Sequence, residues 1–134
     1  MNKITVCFWL AALYNSCIIL FSKGFSTDLG LIDPLFSPDG CIGVLLWGAA
    51  YFALSKSYES VPDMAFVFCV EKAFYGFHWL FWMFDNYQGL PDIVSADPIS
   101  GAFYTIYGIG DLLFMVFFGW VAWTWRHNMK GDHR

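Results

Sequence analysis

Charge is what this chain has least of. Of its 134 residues only 13% are charged, about half the share of an ordinary soluble domain. Seven Lys and Arg against eleven Asp and Glu leave a formal net charge of −4, with no basic tract. Nothing here matches the cationic surface with which proteins neutralise nucleic-acid phosphates, so no nucleic-acid partner is expected. Metal-ligand spacing is missing too. There is no His-Glu-x-x-His, and the four cysteines (Cys7, Cys17, Cys41, Cys69) form no Cys-x-x-Cys. His78 is the one histidine inside an apolar stretch, which leaves a bis-histidine haem without its second ligand. Neither a P-loop nor a Gly-x-Gly-x-x-Gly occurs, and Gly108-Ile109-Gly110 sits inside an apolar run as packing. No nucleophile motif stands out. The reading favours a non-enzymatic chain over an enzyme, with no cofactor and no metal expected.

What is abundant is hydrophobicity: 58% of residues are hydrophobic and 22% aromatic, with a mean hydropathy of +0.53. A helix needs about 20 mostly apolar residues to cross roughly 30 Å of hydrocarbon. Four stretches meet that length, at about 4–21, 38–57, 64–84 and 98–125. The expectation is an all-α fold, a four-transmembrane-helix bundle of antiparallel up-down topology, formed by residues 1–134 as a single polytopic membrane domain. Starts are marked by Ser37 as N-cap before Pro38, by a capping-box pattern at Ser60-Val61-Pro62-Asp63, and by Asp97 before Pro98. The first stretch reads as a retained anchor helix, being long for a signal peptide and without a small-residue cleavage site.

Lys3, Lys56, Arg126, Lys130 and Arg134 all fall on one side of this arrangement, and Lys23 alone on the other. That bias puts both termini in the cytoplasm, and with the compact size it points to a bacterial inner membrane. The outer loops then carry Asp28, Asp33, Asp39, Asp85, Asp92 and Asp97, read as acids remaining where bases are excluded. Residues 22–39 are too apolar for a solvated loop and are expected to lie in the interface or to fold back over the bundle. Residues 85–97 are more polar, with a turn-type Gly89-Leu90-Pro91-Asp92. Cys17 and Cys41 both fall near the outer face, where one disulfide is conceivable and free thiols fit better. His127 and His133 belong to the cytoplasmic tail.

At about 100° per residue the third stretch divides in two. Phe66, Val67, Val70, Phe74, Phe77, Leu80, Phe81 and Phe84 share one side, expected to meet lipid. Ala65, Cys69, Lys72 and Gly76, flanked by Glu71, Tyr75 and His78, face the bundle. The fourth stretch gathers Ser100, Gly101, Tyr104, Tyr107, Gly108, Met115, Gly119 and Ala122 around Asp111, with Ile109, Leu113, Val116, Phe117 and Trp120 opposite. Antiparallel pairing sets Asp111 level with the middle of the third stretch, within reach of Lys72. The candidate cluster is Glu71, Lys72, His78 and Asp111, lined by Asn15, Tyr75, Tyr104 and Tyr107. The second stretch, with its Gly and Ala, reads as packing material.

Two acids and one strong base leave one carboxyl to be protonated, to pair with His78 or to hold a cation, because a bare buried carboxylate is too costly. As interhelical glue the cluster is a Lys72–Asp111 pair, with Glu71 hydrogen-bonded to Tyr75, Tyr104 or Asn15. As a functional site it fits three classes. The first is a non-catalytic protein that binds a lipophilic or cationic small molecule in the bundle, or serves as accessory subunit to a membrane-protein partner or homo-oligomer. The second is proton or cation translocation through a Glu71/His78/Asp111 relay. The third, least favoured, is an intramembrane lipid-modifying enzyme with Glu71 or His78 as general acid/base.

Overall fold

The computed structural model describes residues 2–131; His133 and Arg134 lie outside them. The protein is all-α, 84% helical, with no strand among the described residues. Its elements are α1 (Lys3–Leu20), α2 (Thr27–Ile32), a 3₁₀ turn (Pro34–Phe36), α3 (Pro38–Leu54), α4 (Pro62–Asn86), α5 (Leu90–Ala96) and α6 (Pro98–Gly131). α1 packs on α3 and α4 on α6, so the chain is two long helical hairpins, with the short helices crowded at one end. α1 and α6 pass the length and hydropathy expected of a membrane span, at Lys3–Leu20 and Pro98–Met129. α3 has 17 residues, and α4 carries Glu71 and Lys72 at mid-length.

The helix starts follow local chemistry. Ser37 Oγ accepts from Gly40 N–H at 3.3 Å, with Pro38 at the first helical position, where its missing N–H leaves no bond unmade. Asp97 Oδ1 accepts from Ile99 N–H at 3.2 Å, capping α6. The capping box expected at Ser60 is absent: α4 begins at Pro62 after Val61, with no side-chain cap. Proline's preset φ starts the helix two residues before Met64. α3 ends at Leu54, three residues short of the expected Ser57, because the chain winds into consecutive turns there. At the other extreme α6 continues beyond the expected Trp125 to Gly131. Residues 90–96, expected to belong to the polar outer loop, form α5, with Pro91 in its first turn. Gly101 lets α5 lie against α6, since a Cβ there would stand 2.5 Å from Val94 Cγ2.

Two aromatic cores bracket a polar middle. At the end near the N-terminus, Phe8, Tyr51, Tyr58, Phe68, Phe118 and Val121 are buried together, with ring centroids of Phe8 and Phe118 5.2 Å apart, edge to face. At the other end Ile19, Leu29, Phe36, Trp79, Phe103, Tyr104 and Tyr107 form the second core. Residues 22–37 do fold back over the bundle: Leu29 is fully buried, and Phe36 packs edge-on against the stacked rings of Phe103 and Tyr107, at 4.7 and 4.8 Å.

All eight α4 residues assigned to the apolar side, from Phe66 to Phe84, are exposed. On α6 Ile109, Leu113, Val116 and Trp120 are exposed as expected. Phe117, grouped with them, instead turns inward far enough to meet Phe8 edge-on at 5.6 Å. Cys17 and Cys41 do not pair. All four thiols are free, and Cys41 donates its S–H to Phe36 C=O at 3.4 Å.

Candidate functional site

The polar middle is built by all four long helices. α4 delivers Lys72, whose side chain is 1% exposed, and its Nζ lies 2.5 Å from Asp111 Oδ1 of α6. The same ammonium donates to Asn15 Oδ1 of α1 at 2.7 Å. Asn15 Nδ2 in turn donates to Val44 C=O of α3 at 3.0 Å. The rings of Tyr51 and Tyr14 stand 5.3 and 5.6 Å from the ammonium, within range of a cation–π contact. The buried cation thus has an anion, an amide oxygen and two aromatic faces, which is how a charge removed from water is kept satisfied.

Glu71 is also buried. Its partner is none of Tyr75, Tyr104 or Asn15: the Tyr51 hydroxyl of α3 donates to Glu71 Oε2. The reading of α3 as inert packing therefore needs correction. Tyr51 lies on the same buried stripe as Cys41, Val44 and Gly48, and that continuation of a small-residue stripe was the signal available in the sequence. Tyr14 is a second residue that sequence reasoning missed; its hydroxyl donates to the Tyr107 carbonyl. Gly110 makes room for it, since a Cβ there would meet the Tyr14 ring at 2.3 Å.

The structure separates His78 from the cluster. Its Nε2 is 2.7 Å from Asp33 Oδ2, a carboxylate 7% exposed in the folded-back segment. Asp33 also caps the 3₁₀ turn by accepting from Leu35 N–H at 3.0 Å. An acid beside Leu35 and Phe36, in a segment already too apolar for water, is drawn inside with them. Tyr104 likewise serves that segment, donating to Leu29 C=O at 3.0 Å. Tyr75 and Tyr107 do line the cluster, together with Glu71, Lys72, Asp111 and Asn15, but the space among them is about 10 Å³, the size of one water molecule. The Tyr107 hydroxyl is buried there without a partner among the described residues. Beneath Glu71, Tyr51 packs on Phe68 and Phe118 at 4.9 and 5.0 Å, so an aromatic layer separates the charges from the N-terminal end. Among the described residues no group of three or more His, Cys, Asp or Glu is placed to hold a metal ion.

Larger spaces lie on the surface. A depression of about 1010 Å³ lies at the terminal end between α4 and α6, over Cys69, Gly119 and Ala122, beside the exposed Arg126–Asp63 pair. At the opposite end, where the two hairpins meet, an apolar groove of about 480 Å³ runs between α1 (Tyr14, Cys17, Ile18), with Phe21 just beyond it, and α6 (Ala102, Phe103, Ile106). Pro98 and Ile99 belong both to this groove and to a polar recess around Lys23, Asp28, Asp97 and Ser100. There Lys23 Nζ sits 2.9 Å from Asp97 Oδ2, and Ser100 Oγ donates to the same oxygen at 2.9 Å. The Lys23 ammonium and then the Ser100 hydroxyl hold the Asp97 carboxyl down at about 2, and Asp97 raises Lys23 in return. Comparison with protein-family models, curated proteins and solved structures finds no match to this chain.

Proposed function

We propose that the chain is a four-span integral membrane protein, both termini cytoplasmic, that binds a lipophilic molecule non-catalytically in the groove between α1 and α6 rather than at its charged centre. The observation that carries this reading is the contrast in room. The centre has about 10 Å³ and a saturated ion pair, whereas the groove has about 480 Å³ walled almost wholly by apolar side chains. Four spans are supported by the belt of exposed Phe, Leu, Ile and Val along the long helices, a surface that hydrocarbon accepts and water does not. The 17 residues of α3 rise about 26 Å, and its flanking turns cover the rest of the bilayer core. The mid-helix charges of α4 are turned inward and paired, as intramembrane charges are. Lys3, Lys56 and Arg126 at one end give the orientation, and such a bias fits a bacterial inner membrane. Translocation through Glu71, His78 and Asp111 is less well supported, because His78 is engaged by Asp33 and the Phe68–Phe118 layer closes the path.

The topology is tested by cysteine substitution and an impermeant maleimide in intact cells. Gln88→Cys is labelled from outside and Ser57→Cys only after lysis; the opposite pattern, or labelling of both, removes the arrangement. The site is tested by native mass spectrometry of protein extracted in mild detergent. A lipophilic mass retained by Glu71→Gln and lost on Ala102→Trp supports the groove. Loss on Glu71→Gln with retention by Ala102→Trp moves the ligand to the centre.

A further inference from the structure

The groove and the polar recess share Pro98 and Ile99, so the two adjoin, and a molecule with its chain in the first has its other end beside the second. Such a molecule has an apolar chain and a polar head, and the recess states what that head must carry. Asp97 is fully engaged, by Lys23, by the Ser100 hydroxyl and by the backbone N–H groups of Ile99 and Ser100. Lys23 spends one of its three N–H donors on Asp97 and leaves the others toward water, its side chain 44% exposed. Asp28 lies close enough to act on the Lys23 charge, yet its carboxylate makes no side-chain hydrogen bond or ion pair among the described residues. The recess therefore offers cationic donors at one point and an unmatched carboxylate at another.

We infer that the α1/α6 groove holds one chain of a zwitterionic phospholipid with a primary ammonium, its phosphate on Lys23 and its ammonium on Asp28. This rests on the groove reading and adds the class of head group to it. A phosphoglycerol head brings an anion to two acids and one base and has nothing for Asp28. A phosphocholine head brings the right charges, but its quaternary nitrogen has no N–H to donate to a carboxylate. Only a primary ammonium satisfies both ends of the recess. The charge balance also explains why the outer end keeps a lysine at all, against the bias that clears basic residues from that side.

The test is competitive native mass spectrometry of the full chain in mild detergent, with phosphoethanolamine, phosphocholine and phosphoglycerol lipids of identical acyl chains at equal concentration. Wild type retains the phosphoethanolamine lipid over the phosphoglycerol lipid by about fivefold, the factor one exposed ion pair supplies. Asp28→Asn brings the two to parity. Ala102→Trp, which fills the groove from an exposed position, loses all three lipids while helicity by circular dichroism is kept; Ala102→Leu, a smaller plug, loses part of them. Equal retention in wild type, or a preference that survives Asp28→Asn, overturns the head-group assignment. If Ala102→Trp still abolishes lipid binding in that case, the groove reading stands alone. Undiminished binding by folded Ala102→Trp overturns both.

Discussion

Asp111→Asn keeps the shape of the side chain and removes the carboxylate bonded to the Lys72 ammonium. What remains for a cation 1% exposed is Asn15 Oδ1 at 2.7 Å and two tyrosine faces. Leaving one partner of a buried pair uncompensated costs about 3–5 kcal/mol. Hydrogen bonds between membrane helices average only about 0.6 kcal/mol, and that gap separates an electrostatic lock from ordinary interhelical contact. Asp111→Asn and Lys72→Met are therefore each expected to destabilise by about 3–5 kcal/mol, and the double variant by much less than their sum, since it leaves no orphaned charge. The assay is reversible unfolding from detergent micelles by added sodium dodecyl sulfate, followed by tryptophan fluorescence. Single variants within about 1 kcal/mol of wild type, or a strictly additive double, would refute the reasoning.

Glu71→Gln still presents an oxygen to the Tyr51 hydroxyl, so its unfolding midpoint in the same assay should stay near wild type, whereas Tyr51→Phe strands a buried carboxyl and should lower it by about 1–3 kcal/mol. Gly108→Ala places a methyl 2.1 Å from Trp79 Cγ; the overpacking, about 1–3 kcal/mol, exceeds the gain in helix propensity and should break the hydrogen bond that Trp79 Nε1–H donates to the Tyr104 carbonyl at 2.7 Å, seen as a shifted tryptophan emission. His78→Ala should speed amide exchange across residues 26–37, measured by mass spectrometry, with little change in α4 and α6, because Asp33 ties that segment to the bundle through His78. The Lys23–Asp97 tie follows the signs of its two groups: the depressed Asp97 adds stability that is complete above its ordinary carboxyl range and is lost as pH falls toward about 2. The raised Lys23 adds stability that is complete below its ordinary range and is lost only above it. Amide exchange at residues 99–101 should then be flat from about pH 5 to 9, after correction for the intrinsic rate, and rise in acid, a rise that Asp97→Asn abolishes.

How far the residues announce the fold depends on how many turns repeat a pattern. α4 carries its phenylalanine side through about five turns, enough for a period to declare itself, and each of those eight residues is exposed. The Lys72–Asp111 contact was legible for a similar reason, since antiparallel neighbours of known rise fix which residues share a depth. Contacts made by single residues were not legible. Tyr51 resembles any aromatic on an apolar helix until a carboxyl is placed opposite it. Asp33 resembles any loop acid until the apolar residues beside it carry it inward to His78. Loop conformation is the harder step, because a short segment such as Pro34–Phe36 has no period from which its facing can be inferred.

The position of Asn15 and Tyr51 bears on the order in which the chain is made. If the four helices enter a bilayer as they are synthesised, α4 arrives with two charged residues at its middle, each costing about 2.5–3.5 kcal/mol to insert unaided. Asp111 is 39 residues further along the chain, in a helix that enters after α4. The first hairpin is already in place, and it presents the Asn15 amide to Lys72 and the Tyr51 hydroxyl to Glu71. In that order of entry α1 and α3 would serve as an assembly template for α4, and the carboxylate that completes the pair would come last, with α6.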